Sequence, residues 1–153
     1  MVPEIILYYW QGPGPIPDWR LACHNKLVAL YPSARIVKSE GYREKYLSYY
    51  SDHWRLQQCS KSKRVLWVDN DIELISPLEL TEKPGLADEF QIGHLSIMWS
   101  GDNPEVFKDL ITPTSYKNQE MQDRVKSGLI DKIKIPGTHW ATEENGNKVR
   151  RFK

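Results

Sequence analysis

Residues 64–75, Arg-Val-Leu-Trp-Val-Asp-Asn-Asp-Ile-Glu-Leu-Ile, constrain the fold more than any other stretch of the chain. The apolar run Val65 to Val68 reads as a buried strand, and it emerges directly into Asp69 and Asp71 with one residue between them. A strand that ends this way delivers two carboxylates to one spot at a sheet edge. Hard divalent cations such as Mg²⁺ and Mn²⁺ take oxygen ligands of this kind, and substrate phosphates commonly fill their remaining positions. An acidic turn behind a core strand would look the same. The flanking sequence carries the decision.

Those flanks alternate between strand-like and helix-like segments. Ile5–Trp10 reads as a buried first strand, closed by the Gly- and Pro-rich loop Gln11–Pro17. After Asp18, the residues Trp19, Ala22, Leu27, Leu30 and Tyr31 roughly follow helical spacing up to Pro32. Ala34–Val37 reads as a second strand, and residues 42–58 as a helix with Tyr46, Leu47, Tyr50, Trp54 and Leu56 facing inward. Beyond the acidic turn, Ser76-Pro77 starts a short helical turn and Ile92–Trp99 reads as a strand. Asn103-Pro104 opens a helix through Ile111, with proline at a tolerated first-turn position. A helix from about Asn118 to Lys126 and a strand at Lys132–Ile135 complete the pattern. Such alternation predicts an α/β domain on a mostly parallel central sheet flanked by helices. Sheets of this kind bind ligands at the carboxyl ends of their strands. Trp10 and the Asp69–Asp71 pair both fall at such ends.

A length of 153 residues fits one minimal domain over 1–153, with a flexible tail expected from about residue 143. The 21 basic and 20 acidic residues leave a net charge of +1, which argues against a broad nucleic-acid surface. The basic cluster Lys148, Arg150, Arg151 and Lys153 reads as a solvated tail. Cys23 and Cys59 make neither a disulfide framework nor a CxxC zinc spacing. Neither a leader-like start nor a membrane-length apolar stretch is evident, so the expectation is a soluble cytoplasmic protein without a transmembrane segment. Oligomeric state is not legible.

Three segments carry a more specific likeness. Val65–Leu80, a strand running into Asp-Asn-Asp and then Ser76-Pro77-Leu78, resembles the DxD segment of nucleotide-sugar-dependent glycosyltransferases of the GT-A fold. The form is especially similar to that of the glycogenin and lipopolysaccharide galactosyltransferase group. Ser51-Asp52-His53-Trp54-Arg55 resembles the Ser-Asp-x-x-Arg segment that precedes DxD in the large clostridial glucosylating toxins and in mannosyltransferase-like enzymes. Spaced three apart, Asp52 and Arg55 share one helix face. A carboxylate there can accept from sugar hydroxyls, and a guanidinium can donate to a hydroxyl or phosphate. Leu7–Gly12 followed by Ile16–Trp19 resembles the Ile-Trp-x-Gly and Pro-x-x-Trp opening of the same enzymes. The Gly-Gly-x-Tyr that leads into DxD in the toxin-like relatives is replaced here by Lys63–Trp67.

The resemblance implies a GT-A-like, Rossmann-like domain acting as a metal-dependent glycosyltransferase. It would move a hexose from a nucleoside-diphosphate sugar, a UDP-sugar by preference, to an unidentified glycan or other hydroxyl acceptor, with retention of configuration. Asp69 and Asp71 would hold Mn²⁺ or Mg²⁺, with His139 as a third ligand, and the cation would bridge the donor's diphosphate. Trp10 would stack on the base, while Asp52 and Arg55 hold the donor sugar. Gln119 and Glu120 would lie near the transferring sugar, and Lys148 would meet the diphosphate. Two other readings stand beside this one. A non-catalytic nucleotide-sugar or glycan-binding module is the first. The second is a haloacid-dehalogenase-like phosphatase, whose Asp-x-Asp carries a nucleophile and an acid/base; there the motif normally lies near the start of the domain.

Overall fold

The chain is described here from a computed structural model covering residues 1–45, 47–89, 91–135, 138–142 and 148–152, the last two segments by their backbone. Strand β1 (Ile5–Trp10) is apolar on both faces and almost entirely buried. Helix α1 (Asp18–Leu30) begins directly after Pro17, with Asp18 in the first turn where a carboxylate meets the positive end of the helix dipole. It buries Cys23, His24 and Leu27, one turn apart, and stops ahead of Pro32. Strand β2 (Arg35–Glu40) then lies parallel to β1, and α2 (Ser48–Lys61) leads to β3 (Val65–Val68), parallel to β1 on its other side.

The remaining elements are β4 (Ile72–Leu74), β5 (Gly85–Glu89), β6 (Ile92–Trp99), a single 3-10 turn at Pro104–Phe107, α3 (Asn118–Lys126), β7 (Asp131–Ile133), β8 (Thr138–Thr142) and β9 (Lys148–Phe152). Six strands form the main sheet in the order β2-β1-β3-β6-β5-β7. The β1–β2, β1–β3 and β5–β7 pairs are parallel, and β6 runs antiparallel to both β3 and β5. This is a Rossmann-like α/β architecture on a mixed, mostly parallel sheet. A second sheet of order β4-β9-β8 grows from the segment just after Asp71.

The helices cover opposite faces of the main sheet. Leu56 and Cys59 of α2 pack with Ile5, Leu7, Tyr9, Val65 and Trp67 on one face. Leu27 of α1 packs with Ile6, Leu66 and Val68 on the other. Because β2 and β3 flank β1 on opposite sides, the chain reverses direction across the sheet at β1 and β3. Their adjacent carboxyl ends therefore open a crevice between the two helices.

Several expected boundaries move, each for a local reason. The helix expected over 42–58 occupies Ser48–Lys61, because the Gly41 amide donates to the Trp10 carbonyl and the Arg43 amide to the Gln11 carbonyl. These bonds tie 41–43 to the end of β1 and the residue after it, so Leu47 is exposed at the helix cap while Leu56 is buried. Tyr46 lies outside the described residues. The helix expected from Pro104 to Ile111 is only the 3-10 turn, since Asp109 takes a left-handed conformation (φ 60°) and Ile111 bridges Tyr116. Ser76-Pro77 starts no helix. The basic segment Lys148–Phe152, read as a tail, is the middle strand of the second sheet.

One irregularity matters for the site. On β6, Met98 sits opposite Leu86 but His94 sits opposite Ala87, so Leu95, Ser96 and Ile97 bulge out of the β5 register. The bulge turns β6 toward β3, and the Asp69 amide donates to the Ser96 carbonyl at 2.8 Å.

Candidate functional site at the β1–β3 crevice

A cavity of about 380 Å³ fills the crevice, lined by Tyr9 from β1, Arg20 from α1, Ser48, Ser51 and Arg55 from α2, Trp67 from β3, and the Asp69-Asn70-Asp71 turn. Tyr9 and Trp67 make its wall aromatic. Trp54, outside the lining, packs against both, and the three rings meet pairwise with centroids 5.7–6.3 Å apart.

Arg55 is buried against this wall, its guanidinium 4.0 Å from the Trp67 ring centre. Its Nη1 donates to Asp69 Oδ1 at 3.0 Å and to the Leu95 carbonyl at 2.8 Å, the latter turned inward by the β6 bulge. Its Nη2 donates to Ser51 Oγ at 2.7 Å and lies 3.5 Å from Asp52 Oδ1. Trp67 Nε1 donates to the same Asp69 oxygen at 2.8 Å. Two donors thus fix the Asp69 carboxylate, and Arg55 spends its hydrogen bonds inside the protein. The structure places Arg55 as a scaffold beneath Asp69 and Asp52.

Asp52 is half-buried, and its carboxyl is raised above the ordinary range. Burial is the main cause; Arg55 opposes it and the charge on Asp69 adds to it. Burial and the nearby Asp52 charge raise the Tyr116 phenol as well, and neither Asp52 nor Tyr116 is among the residues that line the cavity.

Trp10 is half-buried, belongs to neither core cluster and does not line the cavity. Its Nε1 donates to the Gly14 carbonyl at 3.0 Å. Its six-membered ring presses on Gly12 so closely that a Cβ there would sit 2.6 Å from the indole. The Gly- and Pro-rich loop is therefore a mould for this ring at the rim of the crevice.

Gln119 and Glu120 lie elsewhere. Both are exposed on α3, where Glu120 pairs with Arg124 at 2.7 Å and Gln119 Nε2 donates to Asp123 at 2.9 Å. Their neighbour Gln122 faces the sheet, exchanging two hydrogen bonds with the Gly93 backbone. The side chains of His139 and Lys148 lie outside the described residues. Their backbones place His139 opposite Arg151 on β8 and β9, with Arg151 in turn opposite Glu73 on β4. Among the described residues, no group of three or more His, Cys, Asp or Glu side chains is arranged to hold a metal ion. Asp69 and Asp71 nonetheless line one cavity with oxygen donors. That suits a cation held by one or two carboxylates and completed by substrate phosphates.

Three features escape a reading by sequence. Arg20 reaches the cavity from α1, and its only advance signal is its position one residue after Trp19. The Trp67 indole N–H reaches Asp69 two residues on, and the Leu95 carbonyl comes from a bulged strand that no local pattern announces.

No protein-family model, curated protein or solved structure compared with the chain matches it. Fold and site together define an α/β domain with an acidic, arginine-braced crevice at its topological switch point. Among the described residues, no helix is long and apolar enough to cross a membrane.

Proposed function

We propose that the crevice binds a nucleoside-diphosphate sugar and that the protein is a GT-A-type hexosyltransferase dependent on Mn²⁺ or Mg²⁺. The observation that carries this reading is the convergence of Asp69 and Asp71 with Arg55 and Ser51 of the Ser-Asp-x-x-Arg segment around one cavity. Segments that resemble donor-site motifs in sequence are neighbours in space, at the place where α/β sheets take ligands.

Asp69 and Asp71 would hold the cation, whose chemistry is to offset charge on the departing diphosphate. Arg55 and Trp67 keep the Asp69 carboxylate in one orientation, so little reorganisation is needed on binding. Asp52, beside Arg55, accepts from a sugar hydroxyl. Trp10 at the rim supplies a flat apolar face for a base, with uridine preferred. In the transfer, the bond between the anomeric carbon and the diphosphate oxygen breaks, and the acceptor oxygen bonds to that carbon. The acceptor's proton leaves to solvent or to the departing phosphate. Retention of configuration and a glycan or other hydroxyl acceptor belong to the same proposal. No step is assigned to Gln119 or Glu120. A cytoplasmic location fits the two buried free thiols of Cys23 and Cys59.

Incubation with a panel of UDP- and GDP-hexoses and Mn²⁺ tests the activity. Slow release of free sugar and nucleoside diphosphate, lost in Asp71→Ala, is the expected result. Tight donor binding without turnover on any acceptor would instead make the domain a binding module.

A further inference from the structure

The middle residue of Asp69-Asn70-Asp71 has a definite task. Asn70 Nδ2 donates to the Tyr9 carbonyl at 3.1 Å, which fixes the amide and turns its oxygen toward α1. Arg20 Nη1 donates to that oxygen at 2.5 Å. The Arg20 guanidinium also stacks 4.4 Å from the Trp19 ring centre and lies 6.0 Å from that of Trp10. A flexible side chain is thereby held in one place at the cavity wall.

The two arginines of the cavity differ in charge balance. Arg55 is paired with Asp69 and Asp52. Arg20 makes no ion pair among the described residues, and its described hydrogen bond goes to a neutral amide. A guanidinium carries five N–H donors in a fixed fork that matches phosphate oxygens. One of these donors is spent on Asn70, and the side chain still lines the cavity.

We infer that Arg20, aimed by Asn70, is a phosphate-binding residue of the crevice and contacts the diphosphate opposite the two carboxylates. The inference deepens the donor-site reading and rests on it. It also gives the DxD turn a double function. Its carboxylates serve the cation side of a diphosphate, and its amide serves the arginine side. Trp19, with Trp10 farther off, contributes by stacking on the Arg20 guanidinium, so the aromatic rim and the phosphate site form one structure.

Calorimetric titration of uridine, UDP and inorganic pyrophosphate in Mn²⁺ tests the inference, using wild type, Arg20→Gln, Arg20→Lys and Asn70→Ala. Loss of a charge-assisted contact should weaken UDP and pyrophosphate by roughly tenfold to a hundredfold in Arg20→Gln, with uridine unchanged. Arg20→Lys, which keeps the charge and loses the fork, should fall between. Asn70→Ala should weaken both phosphorylated ligands several-fold without moving uridine, a split that general loosening of the fold would not give. UDP binding by Arg20→Gln within twofold of wild type would overturn the inference and leave the donor site standing. If Arg20→Gln does not fold, unchanged UDP binding by Asn70→Ala overturns it equally. Failure of wild type to bind either phosphorylated ligand would remove the donor-site reading and this inference together.

Discussion

Arg55 Nη1 lies 3.0 Å from Asp69 Oδ1, joining the middle of α2 to the first residue beyond β3. The pair links the two sequence segments that most resemble a sugar-nucleotide site. It is also strongly supported, since Leu95, Ser51 and Trp67 occupy the flanking hydrogen-bond positions.

Replacing Arg55 should therefore damage the fold before it damages recognition. Arg55→Ala leaves the Leu95 carbonyl and part of Asp69 unsatisfied in a buried setting, at a cost of about 3 kcal/mol. Arg55→Lys restores a charge but cannot reach Asp69, Leu95 and Ser51 at once, so it should recover less than half of that loss. Urea denaturation of the two variants measures both effects. A loss under about 0.5 kcal/mol in Arg55→Ala, in the range of an exposed pair, would show that Arg55 is no scaffold.

His24 makes stability depend on acid. It is buried on α1 with its ring 4.8 Å from Tyr8, and burial, with a smaller contribution from the Lys38 charge, lowers its pKa to about 4. The unfolded chain binds the proton near pH 6.5, so the folded state is disfavoured as pH falls from 6.5 toward 4. At pH 4.5 the loss attributable to this group should be roughly 2 kcal/mol relative to pH 7.5. Urea midpoints for wild type and His24→Phe at both pH values isolate it from the titration of carboxylates. Identical pH dependence in the two proteins would contradict the burial of a neutral imidazole.

Gly101 closes the chain after β6 in a left-handed conformation (φ 53°), with the Glu82 carbonyl against it and the Lys83 carbonyl carbon 2.7 Å from where a Cβ would stand. The clash is with backbone and cannot be relieved by a rotamer change. Gly101→Ala should cost about 2 kcal/mol or more, whereas Gly128→Ala, also left-handed but in open space, should cost less. Thermal midpoints of the two variants give the comparison, and equal shifts would contradict the close approach at Gly101.

The fold was legible where local pattern and tertiary role coincide. Ile5–Trp10, Val65–Val68 and Ile92–Trp99 are apolar runs between turn signals, and they are β1, β3 and β6. Asn118–Lys126 is helical as its sequence suggests. What escaped depends on partners distant in sequence. β4 is three residues with a glutamate in the middle, and it exists because β9 lies beside it. The segment at 41–43 is held by the carbonyls of Trp10, the last residue of β1, and of Gln11 after it. At the site, the acidic turn and the Asp52–Arg55 face were visible as residue types. The direction of Arg55, inward to Asp69 and Leu95, is set by a bulge in a strand 40 residues away. Gln119 and Glu120 suggested a role by position, but α3 turns Gln122 to the sheet and leaves both exposed.

Titration of UDP into the protein with Mn²⁺, without divalent cation, and into Asp71→Ala with Mn²⁺ tests the proposed diphosphate site most directly. A cation-dependent site built on Asp69 and Asp71 requires saturable binding at one site with Mn²⁺. Affinity should be at least about tenfold weaker without the metal or in the variant, the scale of losing a charged contact. Equal UDP affinity in all three titrations, or none in any, would contradict it.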